Sequence, residues 1–400
     1  MLKRHLAAAL VIAGLAAPAA AATCGNSAKG FDQWLKSFRA EAAARGLSRR
    51  ALAALDAVKY DPSVVSRDRA QNIFSQSFLE FSGRMVTDYR IKQGAALVQK
   101  HKRIFDRVKE EYGVPGPVIV AFWALETDFG ANIGDLPTLQ SLATLAWDCR
   151  RPEKFRPQLM AALDLIHKGD LSPSEMRGAW AGEIGQTQFL PLDYDESAVD
   201  FDGDGRRNLR DSIPDVMASS ASLLRKHGWR PGEPWLEEVR VPRDLPWEEA
   251  DIAIQHPRSQ WVEWGVESAG GKPIEADDFP ASLLLPMGHN GPAFLAYENF
   301  TGAYLKWNES LVYSTTAAYL ATRIAGAPKA SRGRAEVTPL TYKEIVELQK
   351  LLAARGYDVG KVDGKIGAGT RAAVKDVQLK LHLPADSYPT PELLDRLRQG

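Results

Sequence analysis

The chain has 400 residues, and 50 Lys+Arg balance 50 Asp+Glu, so its formal net charge is zero. That balance excludes a dedicated nucleic-acid binder with a basic face, and a content of 45% hydrophobic and 25% charged residues excludes a disordered polyelectrolyte. Two Cys, not in a CxxC pair, and seven scattered His exclude a disulfide-dense scaffold and argue against a thiolate or histidine-rich metal centre. The length implies about two or three domains.

Residues 1–22 read MLKRHLAAALVIAGLAAPAAAA, with a basic start at Lys3 and Arg4, an apolar run and a small-residue site at Ala20-Ala21-Ala22. This is the pattern of a secretory signal peptide, and the apolar run is too short to span a bilayer. Its removal leaves 48 basic side chains (50 less Lys3 and Arg4) against 50 acidic ones. Secretion implies a periplasmic, oxidising compartment, where Cys24 and Cys149 are expected to form a disulfide. The alternative for Cys24 is a lipid anchor, although Thr23 stands where lipoprotein signals usually carry Gly, Ala or Ser.

Helical periodicity runs over 31–45, stops at Gly46, and resumes behind Ser48 through Ala57. Two more amphipathic helices are expected over 68–92 and 95–112. Pro115 and Pro117 then open VIVAFWALETDF, which is apolar nearly all round and is closed by Gly130. A helix apolar on every side belongs at the centre of a core. Further helices are expected at 136–147, 153–167, 214–227 and 310–325. Between 233 and 300 the texture changes, and EEVRVP, WVEWGV and ASLLLP read as short strands. Residues 327–338 (APKASRGRAEVT) lack apolar periodicity and read as a linker. The last sixty residues form a small helical unit.

Glu126 sits at the end of the apolar helix. Desolvation and the negative end of the helix dipole should both raise its pKa, giving an acid still protonated near neutral pH. Such a group can protonate a glycosidic oxygen. An isolated glutamate at a helix end is more often solvated or paired with Arg, so this position alone does not define a site. Asp128 lies about 200° further round the helix and is a poor partner for a two-carboxylate mechanism. Glu183, in GEIGQTQF, is the other carboxylate in a notable motif.

The segments ALETDFG, SLATLAWDCRR, AGEIGQTQFLP, AVDFDGDGRRNL and NFTGAYLKWNESLVYSTTAAYLA, in that order, resemble the lytic murein transglycosylases of the B type (glycoside hydrolase family 103). The resemblance covers roughly residues 30–325. It implies a mainly α fold, with a lysozyme-like helical catalytic body and a small β-containing insertion. It also implies cleavage of the β-1,4 bond between N-acetylmuramic acid and N-acetylglucosamine without water, leaving 1,6-anhydro ends. Glu126 would then be the acid that later serves as base. Gln188 and Phe189 match the cleft wall. Arg150 and Arg151 match a pair expected near the peptide carboxylates of the substrate, and Trp307, Asn308 and Tyr313 match an aromatic–Asn–Tyr cluster around the cleft. Ala179 departs from members that carry Ser, and Glu183 stands where a small residue is common.

Asp200, Asp202, Asp204, Arg206 (through its carbonyl) and Asp211 are spaced like an EF-hand loop, with Gly205 at the sharp turn and Asp215 as a competing ligand. They suggest a structural calcium; no cofactor is required for the chemistry. Residues 340–399 resemble a three-helix peptidoglycan-binding domain, in which Leu348, Leu351 and Leu352 line one helix, Asp363-Gly364 shape a loop and Thr370 starts the next helix.

The expected organisation is therefore signal peptide 1–22, catalytic domain 23–326, linker 327–338 and peptidoglycan-binding domain 339–400. Peptidoglycan is the expected partner, with other cell-wall enzymes as further candidates, no nucleic acid and no transmembrane segment. Two other readings stand beside this one. A hydrolytic muramidase on the same scaffold would need a second carboxylate such as Glu183, and a non-catalytic wall-binding scaffold would need none of the cleft chemistry.

Overall fold

The computed structural model describes residues 24–70, 76–270 and 273–399. The expected signal peptide lies outside the described residues. The fold is mainly α, built around the helix Gly116–Thr127, which Pro115 and Pro117 start and Asp128 and Phe129 end in left-handed conformations. Eight of its residues from Val118 to Leu125 are buried. Helices Asp88–Lys100, Ile213–Lys226 and Leu311–Ile324 pack around it, while Thr138–Trp147 pairs with Pro152–Lys168 alongside. The apolar periphery of the central helix is thus explained by neighbours on every side.

Two local expectations are corrected. The helices read at 68–92 and 95–112 are divided differently, into Pro62–Ala70, Phe78–Met85, Asp88–Lys100 and Lys102–Tyr112. Ser77 forms a reciprocal capping box with Glu80, and Thr87 accepts a bond from the Arg90 amide, so two new helix starts interrupt one periodic run. WVEWGV is not a strand. Arg258–Glu263 is a helix that buries Trp261 completely, and the Trp261 Nε1 donates to the Ala281 carbonyl at 2.9 Å.

The β insertion is one antiparallel sheet in the order His256–Pro257, Pro280–Leu284, Ala293–Ala296, Leu236–Arg240, Glu267–Ser268. Both faces of its middle are buried. Leu236, Leu284, Phe294 and Ala296 belong to the main helical core, while Val239, Leu283, Leu285 and Leu295 pack on Trp261 in a second core. This accounts for ASLLLP being apolar throughout instead of alternating.

At the N-terminal end of the described chain, Cys24 and Cys149 are joined by a disulfide. The Gly25 amide bonds the Trp147 carbonyl at 2.9 Å, and Trp147 Nε1 donates to the Ser27 carbonyl at 2.8 Å. Nothing larger than Gly fits at position 25, where a Cβ would come within 2.2 Å of the Trp147 ring.

Residues 327–338 form neither helix nor strand, yet they are bonded to the body: the Ser331 amide reaches Glu238 at 2.6 Å and Arg334 Nε the His289 carbonyl at 2.9 Å. The C-terminal helices Tyr342–Ala354, Ala368–Lys380 and Pro391–Gln399 enclose Leu348, Leu352, Val374, Val377 and Leu393. Thr370 lies in the first turn of its helix, and the buried Gln349 organises the preceding loop by bonding Thr370 Oγ1 and the Asp363 and Gly364 amides. His289 and Asp386 pair at 2.6 Å, and Tyr388 enters the main core.

The disulfide closes a sequence separation of 125 residues. Chain-entropy arguments give such a bridge about 3–5 kcal/mol. Cys24→Ser and Cys149→Ser are each expected to lower unfolding stability by that amount in denaturant titrations, and the double variant no further.

Candidate active site

The central helix delivers Glu126 to an open cleft of about 610 Å³ lined by Lys154, Ala179, Trp180, Glu183, Gln188 and Trp307, among others. Among the described residues, both hydrogen bonds to the Glu126 carboxyl fall on Oε1. Trp307 Nε1 donates to it at 3.1 Å, and the Tyr313 hydroxyl donates to the same atom. Oε2 takes neither bond, and Glu126 lines the cleft.

Burial pushes the Glu126 pKa up to about 7, against the pull of the Tyr313 and Trp307 hydrogen bonds and with a smaller upward push from Glu183. Burial and the neighbouring Glu126 together raise the Tyr313 phenol well above its ordinary range, so it remains a donor.

The donors are themselves held in place. The Trp307 ring stacks on Phe122 with centroids 4.2 Å apart and meets the Phe189 edge at 5.8 Å. Tyr313 lies in the first turn of Leu311–Ile324, which Ser310 caps. Phe189 is buried and serves as the wall behind Trp307.

Opposite the helix, residues 178–189 form a tight backbone knot. The Ala179 amide bonds the Glu183 carbonyl at 3.0 Å, and Ile184 and Phe189 exchange both backbone bonds, at 2.8 and 3.0 Å. Gly178 is required there, since a Cβ would lie 1.8 Å from the Glu183 carbonyl oxygen. Gln188 takes a positive φ of 54° and donates from Nε2 to the Gly185 carbonyl at 2.8 Å.

Gln186, which motif reading passed over, ties this knot to the helix. Its Oε1 accepts from Trp123 Nε1 at 2.8 Å and its Nε2 donates to the Arg210 carbonyl at 2.7 Å. The Thr127 hydroxyl donates to the Gln186 carbonyl at 2.6 Å. The second glutamine of GQTQF was the visible one; the first is the fastener. Lys154, Asp193, His227 and Lys306 also line the cleft. They come from distant parts of the chain and carry no local motif.

Other expected residues are placed as follows. Asn308 lines the cleft with its Oδ1 accepting from the Ser310 amide at 2.9 Å. Arg150 and Arg151 both bind the carboxyl of the buried Asp68 and do not line the cleft. Asp128 pairs with Arg90 at 3.1 Å. Glu183 lines the cleft, and among the described residues its buried Oε2 has no hydrogen-bond partner.

In the acidic loop, Asp200, Asp202 and Asp204 bring carboxylate oxygens within 4.8 Å of one another. Three such oxygens fit a hard cation. Asp215 lies outside that cluster, and its carboxyl accepts the Phe201 amide at 2.7 Å and the Asn208 amide at 2.8 Å. Asp211 is exposed and lies outside the cluster, and the Arg206 guanidinium turns away to Glu175 at 3.1 Å. The loop supports the cleft, since the Leu209 carbonyl accepts the Gln186 amide at 2.9 Å.

A buried acid at the end of a core helix, set in an open groove of a lysozyme-like helical body, defines a class of glycan-cleaving proteins. Comparison with known proteins agrees with the class and narrows it. Residues 30–322 match the family described as "Transglycosylase SLT domain", and 341–397 match "Putative peptidoglycan binding domain". The chain belongs to the transglycosylase SLT family, among the lytic transglycosylases of the B type.

SltB3 from Pseudomonas aeruginosa, solved in complex with NAG-anhNAM-pentapeptide, is 41% identical with a TM-score of 0.86, covering 92% of this chain and 99% of that one. Escherichia coli Slt35, solved in complex with calcium, is 26% identical with a TM-score of 0.62, covering 73% of this chain and 92% of that one. The membrane-bound lytic murein transglycosylase B of Escherichia coli K12 is 32% identical over 158 residues, which is 39% of this chain and 44% of that protein. The chain thus spans less than half the length of that curated relative.

A carboxyl whose pKa rises from 4.5 to about 7 on folding keeps a proton that the unfolded chain gives up in this window, so stability falls as pH rises through it. At about 1.4 kcal/mol per unit, the burial costs about 3 kcal/mol above pH 7. Glu126→Gln is expected to melt above the wild type at about pH 8 and level with it at about pH 4, as read by thermal unfolding.

Proposed function

We propose that this protein cleaves peptidoglycan glycan strands between N-acetylmuramic acid and N-acetylglucosamine without water, with Glu126 as acid and then base. The observation that carries the reading is the Glu126 carboxyl itself: protonated up to about pH 7 by burial and, among the described residues, bonded through Oε1 alone, which leaves Oε2 for substrate. The proton on Oε2 passes to the glycosidic oxygen as the C1–O bond breaks, and N-acetylglucosamine leaves with a free 4-hydroxyl. The resulting carboxylate takes the proton of the muramyl 6-hydroxyl as O6 bonds to C1. The ring closes as a 1,6-anhydro sugar, and the acid is restored. Trp307 and Tyr313 steady the carboxylate formed midway, a hydrogen-bonding role that matters most when the charge is present.

One carboxyl is enough because the nucleophile is part of the substrate. A hydrolytic course is favoured by a single feature, the presence of Glu183 in the same cleft, where it would activate water. The C-terminal module is assigned to retention on the wall. The reading places the protein outside the cytoplasm, released by cleavage after residue 22. With the Cys24 sulfur engaged in the disulfide, it is not free for a lipid thioether. No helix among the described residues is long and apolar enough to cross a membrane.

Digestion of purified sacculi followed by mass spectrometry of the soluble muropeptides tests the reaction. Anhydromuramyl ends are expected, with release falling at least a thousandfold in Glu126→Gln, as loss of a general acid and its charge stabilisation together requires. Reducing ends would support hydrolysis instead, and no release from the wild type would leave a wall-binding scaffold.

Asp200, Asp202 and Asp204 would hold a calcium ion, which would neutralise their mutual repulsion and stiffen the loop behind Gln186. Adding calcium to chelator-treated protein should raise its melting temperature by several degrees, as ligand binding to the folded state does. Asp202→Asn with Asp204→Asn should abolish that rise while Glu126 chemistry continues.

A further inference from the structure

The mechanism above leaves one cleft group unused. Glu183 is anchored by its backbone in the knot at 178–184, where its carbonyl accepts the Ala179 amide at 3.0 Å. Its Oε2 is shielded from solvent and meets no partner among the described residues. A buried carboxyl oxygen without a partner carries an unmet desolvation cost, which a ligand group can relieve. Burial pushes its pKa up, against the pull of nearby backbone amides and the charges of Lys154 and Arg151.

The residues beside it are of a different character. Ala179 and Trp180 line the same cleft and offer a methyl group and an indole. One polar atom next to an apolar corner matches a group with an amide at one end and a methyl at the other. A hydroxyl would leave the apolar corner unused.

Resting on the lytic reading of the cleft, we propose that Glu183 is the specificity-determining residue for the 2-acetamido group of a bound sugar: its carboxyl hydrogen-bonds the amide, and the acetyl methyl lies against Ala179 and Trp180. Glu183 thereby selects N-acetylated strands without taking part in the proton transfers of Glu126.

The test compares kcat/KM on N-acetylated strands and on the same strands chemically de-N-acetylated. The wild type is expected to lose about tenfold on the de-N-acetylated strands, the worth of one good hydrogen bond with its packing. Glu183→Ala should lose about as much on N-acetylated strands, mainly through KM, and match the wild type on the de-N-acetylated ones. Glu183→Gln, which keeps both a donor and an acceptor, should restore the preference. Ala179→Leu, which crowds the apolar corner and leaves the carboxyl in place, should weaken N-acetylated substrate selectively, so the proposal does not depend on one variant folding. Equal losses on both substrates, or a wild type indifferent to acetylation, would overturn it. A wild type that cuts neither substrate would instead overturn the lytic reading beneath it.

Discussion

The structure depends on the burial of one carboxyl at the end of a helix that is otherwise almost wholly apolar. Placing Glu126 there is unfavourable for its anion, and the surrounding architecture limits that cost while keeping the proton available. Phe122 and Phe189 position the Trp307 ring, Ser310 starts the helix that carries Tyr313, and both donors meet the same oxygen. With both donors on Oε1, the carboxyl rotates little and the other oxygen has a fixed direction. Burial and hydrogen bonding pull the pKa in opposite directions, and burial prevails.

A second constraint is the backbone knot that lines the same cleft. It contains several residues with positive φ, and three of its glycines are pressed against neighbouring atoms: Gly178 on the Glu183 carbonyl, Gly182 on Leu142 and Gly185 on Leu209. Such a segment is held by its surroundings more than by local preference. Gln186 is the main link, joining Trp123 of the central helix to the acidic loop at Arg210. A change in that loop therefore reaches the cleft through one side chain and two carbonyls.

Much of this was legible in the residues. The apolar periodicity of VIVAFWALETDF identified the buried helix, and the ordered motifs identified the cleft glutamate, Gln188, Trp307 and Tyr313. What escaped has physical causes. The helix starts at Ser77 and Thr87 lay inside a continuous amphipathic pattern, where a cap competes with a run that would otherwise continue. WVEWGV has strand-like composition, yet Trp261 is buried by a short helix whose indole bonds a strand carbonyl. Arg150 and Arg151 bind Asp68, which lies more than eighty residues earlier, a partner that no local pattern announces. Lys154, Asp193, His227 and Lys306 meet only through tertiary packing, so no local signal marked them.

The two-faced sheet has a consequence for how the protein comes apart. Alternate residues of single strands, Leu283 and Leu284 or Phe294 and Leu295, feed different cores. Peeling the insertion from the helical body would expose one face of the strands, and melting the second core would remove the backing of the other. Neither layer can be lost while its partner stays dry, so the body and its insertion share one unfolding transition, and a defect introduced on the far side of the sheet loosens the groove on the near side.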